Sequence, residues 1–202
     1  MGFYQDRVLP FVIDLAMSNR LLAEYRQRTI SAARGSVLEI GIGSGLNLPH
    51  YREEVAGVCG IDPSAGLLTR ATRQGIAKAV LVQGSAETLP FPNGVFDTVV
   101  TTWTLCSIPD VRSALREMQR VLRPDGRMLF VEHGLAPDRT IMRWQNRLNP
   151  CWKCLGGGCH LNRKIDDLIA TTGFRIEHMD TGYIRGRNPL TYMYQGVARP
   201  PA

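Results

Sequence analysis

The chain lacks any apolar run approaching the roughly 20 residues that a membrane-spanning helix needs. It also lacks a short apolar segment flanked by a small-residue cleavage site of the secretory kind. Both absences lead us to expect a cytoplasmic protein. The cysteines do not form the evenly spread framework of a disulfide-stapled secreted domain: of the five, Cys151, Cys154 and Cys159 crowd together, and reduced thiols are expected. Missing too is the interleaving of aromatic and basic residues that single-stranded nucleic acid needs. The net charge of +6 and the pI near 9.3 could still suit an anionic partner such as lipid headgroups. Arg112, Arg116, Arg120 and Arg123, recurring at helical spacing, read better as a solvated face. There is no internal repeat and no linker, so 202 residues, 44% of them hydrophobic, fit a single α/β domain.

What is present centres on Val37-Leu38-Glu39-Ile40-Gly41-Ile42-Gly43-Ser44-Gly45. An apolar run ending in alternating glycines reads as a buried strand breaking into a tight loop, where backbone can approach a ligand closely. A dinucleotide fingerprint needs its third glycine at position 46, where Leu46 stands, and the NAD reading weakens. An acid, Asp62, closes the next apolar run, Val55 to Ile61. At the tip of a second strand in a doubly wound sheet, such an acid reaches the ribose hydroxyls of a ligand lying across the first loop.

At Glu39-x-Gly41-x-Gly43-x-Gly45 and Asp62 the chain resembles the class I S-adenosylmethionine-dependent methyltransferases. The resemblance implies a Rossmann-like α/β fold with a seven-stranded, mostly parallel sheet and helices on both faces, and S-adenosyl-L-methionine as cofactor. Glu39, Gly41, Gly43, Gly45 and Asp62 would hold it, with Pro63 beside Asp62. The stretch Gly84-Ser85-Ala86-Glu87 matches the segment beside the adenine in that family, so Ser85, Ala86 and Glu87 join the set, as does Thr102 at the end of strand four. Leu122-Arg123-Pro124-x-Gly126 before strand five is a further hallmark.

In chain order, residues 3 to 34 suggest one or two amphipathic helices around Pro10, either covering the sheet or acting as a lid or membrane-surface segment, with Tyr4 and Tyr25 as lid candidates. A helix is expected from Leu46, strand two over Val55 to Ile61, a helix over Ser64 to Gln74, strand three over Ala79 to Gln83 and strand four over Val95 to Trp103. A helix from Arg112 to Leu122 is closed by Arg123 to Gly126, and strand five, Arg127 to Glu132, ends at His133. Beyond it we expect a helix from Arg139 to Leu148, a Pro- and Gly-rich loop from Asn149 to Cys159, a helix from Asn162 to Thr172, and two closing strands. Residues 1–34 would form the lid, 35–133 the cofactor half and 134–202 the acceptor half of the one domain.

Methyl transfer from a sulfonium is an in-line displacement that needs alignment and exclusion of water, and no metal. His133, at a strand tip on the ligand side, is the candidate general base or orienting group, with Glu132 beside it; a histidine merely bonded to a carbonyl is the alternative. Asp97 reads as structural and Asp138 as less well placed. Cys151-x-x-Cys154-x4-Cys159-His160 raises a zinc site or a redox pair, but its spacing is atypical, and a loop closing over the acceptor is favoured. Leu105-Cys106-Ser107, Glu132-His133, Trp144-Gln145, Asn149-Pro150-x-Trp152 and Gly158-Cys159-x-Leu161-x-Arg163 resemble a narrower group, the methyltransferase-like alkyl-thiol S-methyltransferases. That resemblance implies a small apolar thiol as acceptor, with Trp103, Cys106, Trp152, Cys159, His160 and Arg163 lining or supporting its pocket. A quinol, phenol or phospholipid amine as acceptor, or a non-catalytic cofactor-binding module, are the alternatives.

Overall fold

The computed structural model describes residues 9–73 and 79–201; Tyr4, Gln74 and the first residues of the 3 to 34 stretch, named above, lie outside the described residues. The apolar runs form strands β1 (Gly35–Ile40), β2 (Val55–Asp62), β3 (Ala79–Gln83), β4 (Phe96–Thr102), β5 (Leu122–His133), β6 (Arg175–Tyr183) and β7 (Tyr192–Arg199). They build one sheet in the order β3-β2-β1-β4-β5-β7-β6. The first five run parallel, and β7 lies antiparallel between β5 and β6. Chain order reverses between β1 and β4, and it is at such a reversal that a crevice opens beyond the carboxyl ends of the strands.

Helices α1 (Leu9–Met17), α2 (Arg20–Ile30), α3 (Ala65–Thr72), α4 (Val111–Val121), α5 (Arg139–Leu155) and α6 (Ile165–Thr171) accompany the sheet. Neighbouring strand residues divide between two cores, as a two-residue period requires. Leu38, Val99 and Phe130 pack in one cluster with α4 and α6, while Val37, Val100 and Leu129 pack in the other with Ile30 and Leu68. Because both faces are covered, the parallel strands read as continuous apolar runs rather than alternating ones. Among the described residues no helix is long and apolar enough to cross a membrane.

Helix α4 shows why its sequence folds as it does. Asp110 caps it by accepting from Ser113 N, and Val111, Ala114, Leu115, Met118 and Val121 form its buried stripe. Arg112 and Arg116 are exposed, as the solvated-face reading requires. Arg120 departs from it: its guanidinium donates to the carbonyls of Leu89 and Phe91 and pairs with Glu117, pinning the segment before β4. Arg123 likewise pairs with Asp97, whose other oxygen accepts from Ser36 N, so Asp97 ties three segments together at the end of the sheet away from the crevice.

Three elements differ from expectation. After the glycine loop there is only a single 3₁₀ turn, Leu48–His50, because Pro49 sits in it and Tyr51 is already extended at φ −70° and ψ 134°. Arg123 to Gly126 does not close a helix but is drawn into the start of β5, with Leu122 opposite Phe96. Helix α5 runs on through Pro150 to Leu155, where a loop was expected. Proline there forfeits one helical hydrogen bond. The last turns are held from outside instead, by Asn149 Oδ1 accepting from Leu161 N and by Trp152 Nε1 donating to Cys159 Sγ.

Candidate active site

A cavity of about 810 Å³ opens at the strand-order reversal, walled by the tips of β1, β2, β4 and β5, by α1 and α2, and by the end of α5. That volume is in the range of cavities that enclose a drug-sized ligand. Its floor is the loop after β1. Gly41 has φ +68°, and a Cβ there would lie 2.4 Å from Thr104 Oγ1; Gly43 has φ +56°, and a Cβ there would meet nothing nearer than 3.9 Å. The first glycine is required by packing against the β4 tip, the second by its left-handed backbone beside open cavity.

Asp62, at the tip of β2, is 7% exposed and lines the cavity. Its Oδ2 accepts from Gly43 N at 3.0 Å and its Oδ1 from Ser64 N at 2.8 Å. Burial raises its pKa, and those two backbone bonds hold it partly down. With about four lone-pair sites on a carboxylate, two acceptor sites are left for a ligand. Pro63, Ser85, Ala86 and Thr102 also stand on the wall.

Glu39 is placed differently. It is 1% exposed and sits behind the glycine loop, off the cavity wall, accepting from Asn47 Nδ2 at 2.7 Å and Tyr51 Oη at 2.8 Å. Burial raises its pKa to about 7, against those two hydrogen bonds and the nearby Arg26 cation. Asn47 Nδ2 also donates to Thr102 Oγ1 at 2.9 Å, so Glu39 braces the loop between β1 and β4. Asn47 Oδ1 is buried with no protein partner, and Asn47 lines the cavity. Gly45 is off the wall, packed toward Leu48 and Ala71. So is Glu87, whose carboxylate accepts from Ser85 Oγ and from Asp110 N and thereby fixes Ser85.

The β4 and β5 tips form the other end. Trp103, Cys106, His133, Trp152 and Cys159 all stand on the wall there. His133 Nε2 lies 2.9 Å from Cys159 Sγ, and Trp152 Nε1 donates to the same sulfur at 3.2 Å. The hydrogen bond from Cys106, then those from His133 and Trp152, hold the Cys159 thiol well below its ordinary pKa despite burial. The same contact with Cys159, together with burial, pushes Cys106 up. His133 is raised: burial lowers it, and Cys159 and Glu132 more than offset that. Glu132 is fully buried behind the wall, its Oε1 accepting from Thr104 N at 3.0 Å, and burial raises it to about 7. His160 and Arg163 are also off the wall, bonded to the carbonyls of Cys106 and Leu105. Asp138 caps α5. The disfavoured Cys151, Cys154, Cys159 and His160 grouping is not assembled, since Cys151 and Cys154 are exposed on α5 and only Cys159 turns inward.

Sequence reasoning expected a lid from the N-terminal helices but missed which of their side chains meet the site. Arg26 of α2, 5% exposed, sits with its guanidinium carbon 4.7 Å from the centre of the Trp103 ring and donates to Met17 O. Burial lowers its pKa to about 10. Asp14 of α1 accepts from Ser44 Oγ in the glycine loop and pairs with Arg70 at 3.3 Å. Asp14, the one charged residue of an otherwise apolar α1, carries a signal in the sequence, whereas Arg26 stands among Arg20, Glu24 and Arg28 of α2 and carries none. Tyr25 is off the wall, beneath the Arg28 guanidinium.

Residues 38–130 match the family described as "Methyltransferase domain". The thiol S-methyltransferase TMT1B of Rattus norvegicus is 34% identical over 136 residues, which are 64% of this chain and 55% of that protein. The chain thus spans little more than half the length of that relative. The phosphatidylethanolamine N-methyltransferase of Cereibacter sphaeroides is 36% identical over 138 residues, 61% of this chain and 68% of that one. The solved structure of an S-adenosylmethionine dependent methyltransferase from Mesorhizobium loti superposes with a TM-score of 0.68 at 18% identity, covering 91% of this chain and all of that one.

Proposed function

The chain belongs to the class I S-adenosylmethionine-dependent methyltransferases, and on that footing we propose that it methylates the sulfur of a small apolar thiol. The residues present fit the cofactor. Asp62 has acceptor sites left for ribose hydroxyls, Gly43 leaves room where a side chain would intrude, and the unpaired Asn47 Oδ1 suits an ammonium donor. Ser85 and Ala86, on the cavity wall, would border the adenine, while Glu39 would act through Asn47 rather than by contact. When bound, the cofactor supplies an electrophilic methyl group on a sulfonium.

The observation that carries the thiol reading is the composition of the acceptor end. Its titratable groups on the wall are Cys106, Cys159 and His133, surrounded by apolar side chains such as Leu161, Leu190 and Met193. A thiol has a free pKa near 8.5 and needs only modest help to ionise. His133, raised by Cys159 and Glu132, accepts that proton at Nε2, and the apolar wall excludes water. The likeness to the rat thiol S-methyltransferase supports the same reading.

A second reading is favoured by the likeness to the phosphatidylethanolamine N-methyltransferase, which would make the acceptor a phospholipid amine. The test is mass spectrometry of products from purified protein, S-adenosylmethionine and a panel of alkyl and aryl thiols, quinols, catechols and phosphatidylethanolamine vesicles. Methylated sulfur alone is the expected result. Methylated amine, oxygen or carbon without methylated sulfur would overturn it.

A further inference from the structure

Three side chains at the acceptor end come from separate parts of the chain, Cys106 from the β4 to α4 connection, His133 from the β5 tip and Cys159 from beyond α5. Their Sγ, Nε2 and Sγ atoms all lie within 4.8 Å of one another, and no other group of this kind occurs among the described residues. We propose that Cys106, His133 and Cys159 bind a thiophilic divalent cation, zinc in the first instance, whose fourth coordination position opens to the cavity and takes the acceptor thiol.

Tetrahedral zinc with Zn–S of about 2.3 Å and Zn–N of about 2.0–2.1 Å spaces its donors by about 3.6–3.8 Å. The present spacings, 2.9 Å from Nε2 to Cys159 Sγ and at most 4.8 Å for the rest, lie within about 1 Å of that. Two thiolates and one imidazole with a vacant fourth place form the donor set of an open site that exchanges ligands, not of a closed structural one. All three donors line the cavity, so the fourth position meets space and not protein. Trp152 Nε1–H already points at Cys159 Sγ, the kind of outer contact that orients a metal-bound sulfur.

This deepens the thiol reading and rests on it for the identity of the fourth ligand. With His133 Nε2 and Cys159 Sγ engaged as ligands, neither takes the acceptor's proton, and the bound thiol, acidified by the metal, releases it to solvent. Its sulfur forms the new carbon–sulfur bond as the sulfonium's bond to the methyl carbon breaks, and the electron pair of that bond stays on the departing neutral sulfur. The thioether product carries no charge and is a poor ligand, so it leaves.

The test is cobalt(II) absorption of the full chain carrying Cys151→Ser and Cys154→Ser, which removes the exposed thiols. One equivalent of cobalt should give the intense visible bands of a tetrahedral thiolate site, and adding ethanethiol should shift its sulfur-to-metal band. Further substitution by Cys159→Ser or His133→Gln, each checked for an unchanged melting profile, should weaken cobalt binding by at least about a hundredfold. Absence of the bands at stoichiometric cobalt, or bands that survive both substitutions, would overturn the site. Bands that ignore ethanethiol would overturn the open position. Thiol methylation by protein shown to hold no metal sinks the metal and leaves the thiol reading standing; cobalt bound as described, with no thiol turnover, sinks the thiol reading and leaves the site.

Discussion

The guanidinium of Arg26 lies over the indole of Trp103 at 4.7 Å, joining the second N-terminal helix to the tip of β4. Trp103 has φ +50°, and among the described residues it is the one non-glycine in that region. A bulky residue there is strained by about 1–3 kcal/mol and persists only where its surroundings hold it. Arg26 is part of what holds it.

Arg26→Met should therefore destabilise the fold by about 1–2 kcal/mol through the lost desolvated cation–π contact. It should also raise the KM for cofactor, since the N-terminal wall is no longer tied to Trp103. Arg26→Lys keeps the charge but not the planar stacking and should fall between. Denaturant unfolding and cofactor titration check both; a Met variant with wild-type stability and affinity would show that α2 is held by other contacts.

Asp62→Ala should weaken cofactor binding by about 1.5–3 kcal/mol, the worth of charge-assisted hydrogen bonds to a buried carboxylate. Isothermal calorimetry measures this directly. Unchanged affinity would remove Asp62 from the ribose role.

Two glycines of one loop should fail in different ways. Gly41→Ala pays about 1–2 kcal/mol for left-handed backbone and in addition drives its methyl into Thr104, so the melting temperature should fall. Gly43→Ala pays the backbone cost alone, and its methyl enters the cavity, so cofactor affinity should fall more than stability. Equal profiles for the two variants would mean that Gly43 does not face the ligand.

These two positions, with Asp62, were legible because their signal is local: apolar runs, glycine alternation and an acid at a strand end are read within a dozen residues. Glu39 was recognised, but its contact was not, because its bonding to Asn47 and Tyr51 depends on a loop that folds as a 3₁₀ turn instead of a helix. Arg26, Asp14 and the convergence of Cys106 with Cys159 depend on segments far apart in the chain, which no periodicity reveals. Helix α5 was cut short because proline outweighed the tertiary contacts of Asn149 and Trp152 that carry it past Pro150.

Glu39 and Glu132 should make stability fall between about pH 4.5 and pH 7. Glu39 and Glu132, fully buried, have pKa values near 7 against an ordinary 4.5. Between those values these two carboxyls bind more protons in the folded state than in the unfolded one, so their contribution to the unfolding free energy drops as pH rises, by on the order of a few kcal/mol. The contribution is complete below about pH 4.5 and lost through pH 7. Asp97 and Glu117, held low by their hydrogen-bond partners, act in the opposite sense but only in more acid solution. His50 and His160, lowered by burial, offset part of the trend near pH 6.5, and Cys159, held low by Cys106, His133 and Trp152, opposes it across the whole window, so the trend is read by difference between variants. Glu39→Gln isolates the effect: urea unfolding should show a shallower pH slope and a gain over wild type at pH 8. A slope unchanged from wild type would mean that Glu39 is ionised at no cost.

His133→Ala should slow methylation of a high-pKa alkyl thiol more than that of an acidic aryl thiol, because only the former needs help to ionise. The imidazole stands on the wall 2.9 Å from Cys159, so its loss also removes the partner that keeps that thiol ionised. Cys159→Ser should then reproduce the same dependence on acceptor pKa, with a smaller loss for aryl thiols than for alkyl ones. The measurement is kcat/KM across a thiol series of graded pKa for both variants. Equal losses at every pKa would make His133 a packing residue of the β5 tip. A graded loss for His133→Ala without one for Cys159→Ser would place the proton on the imidazole directly.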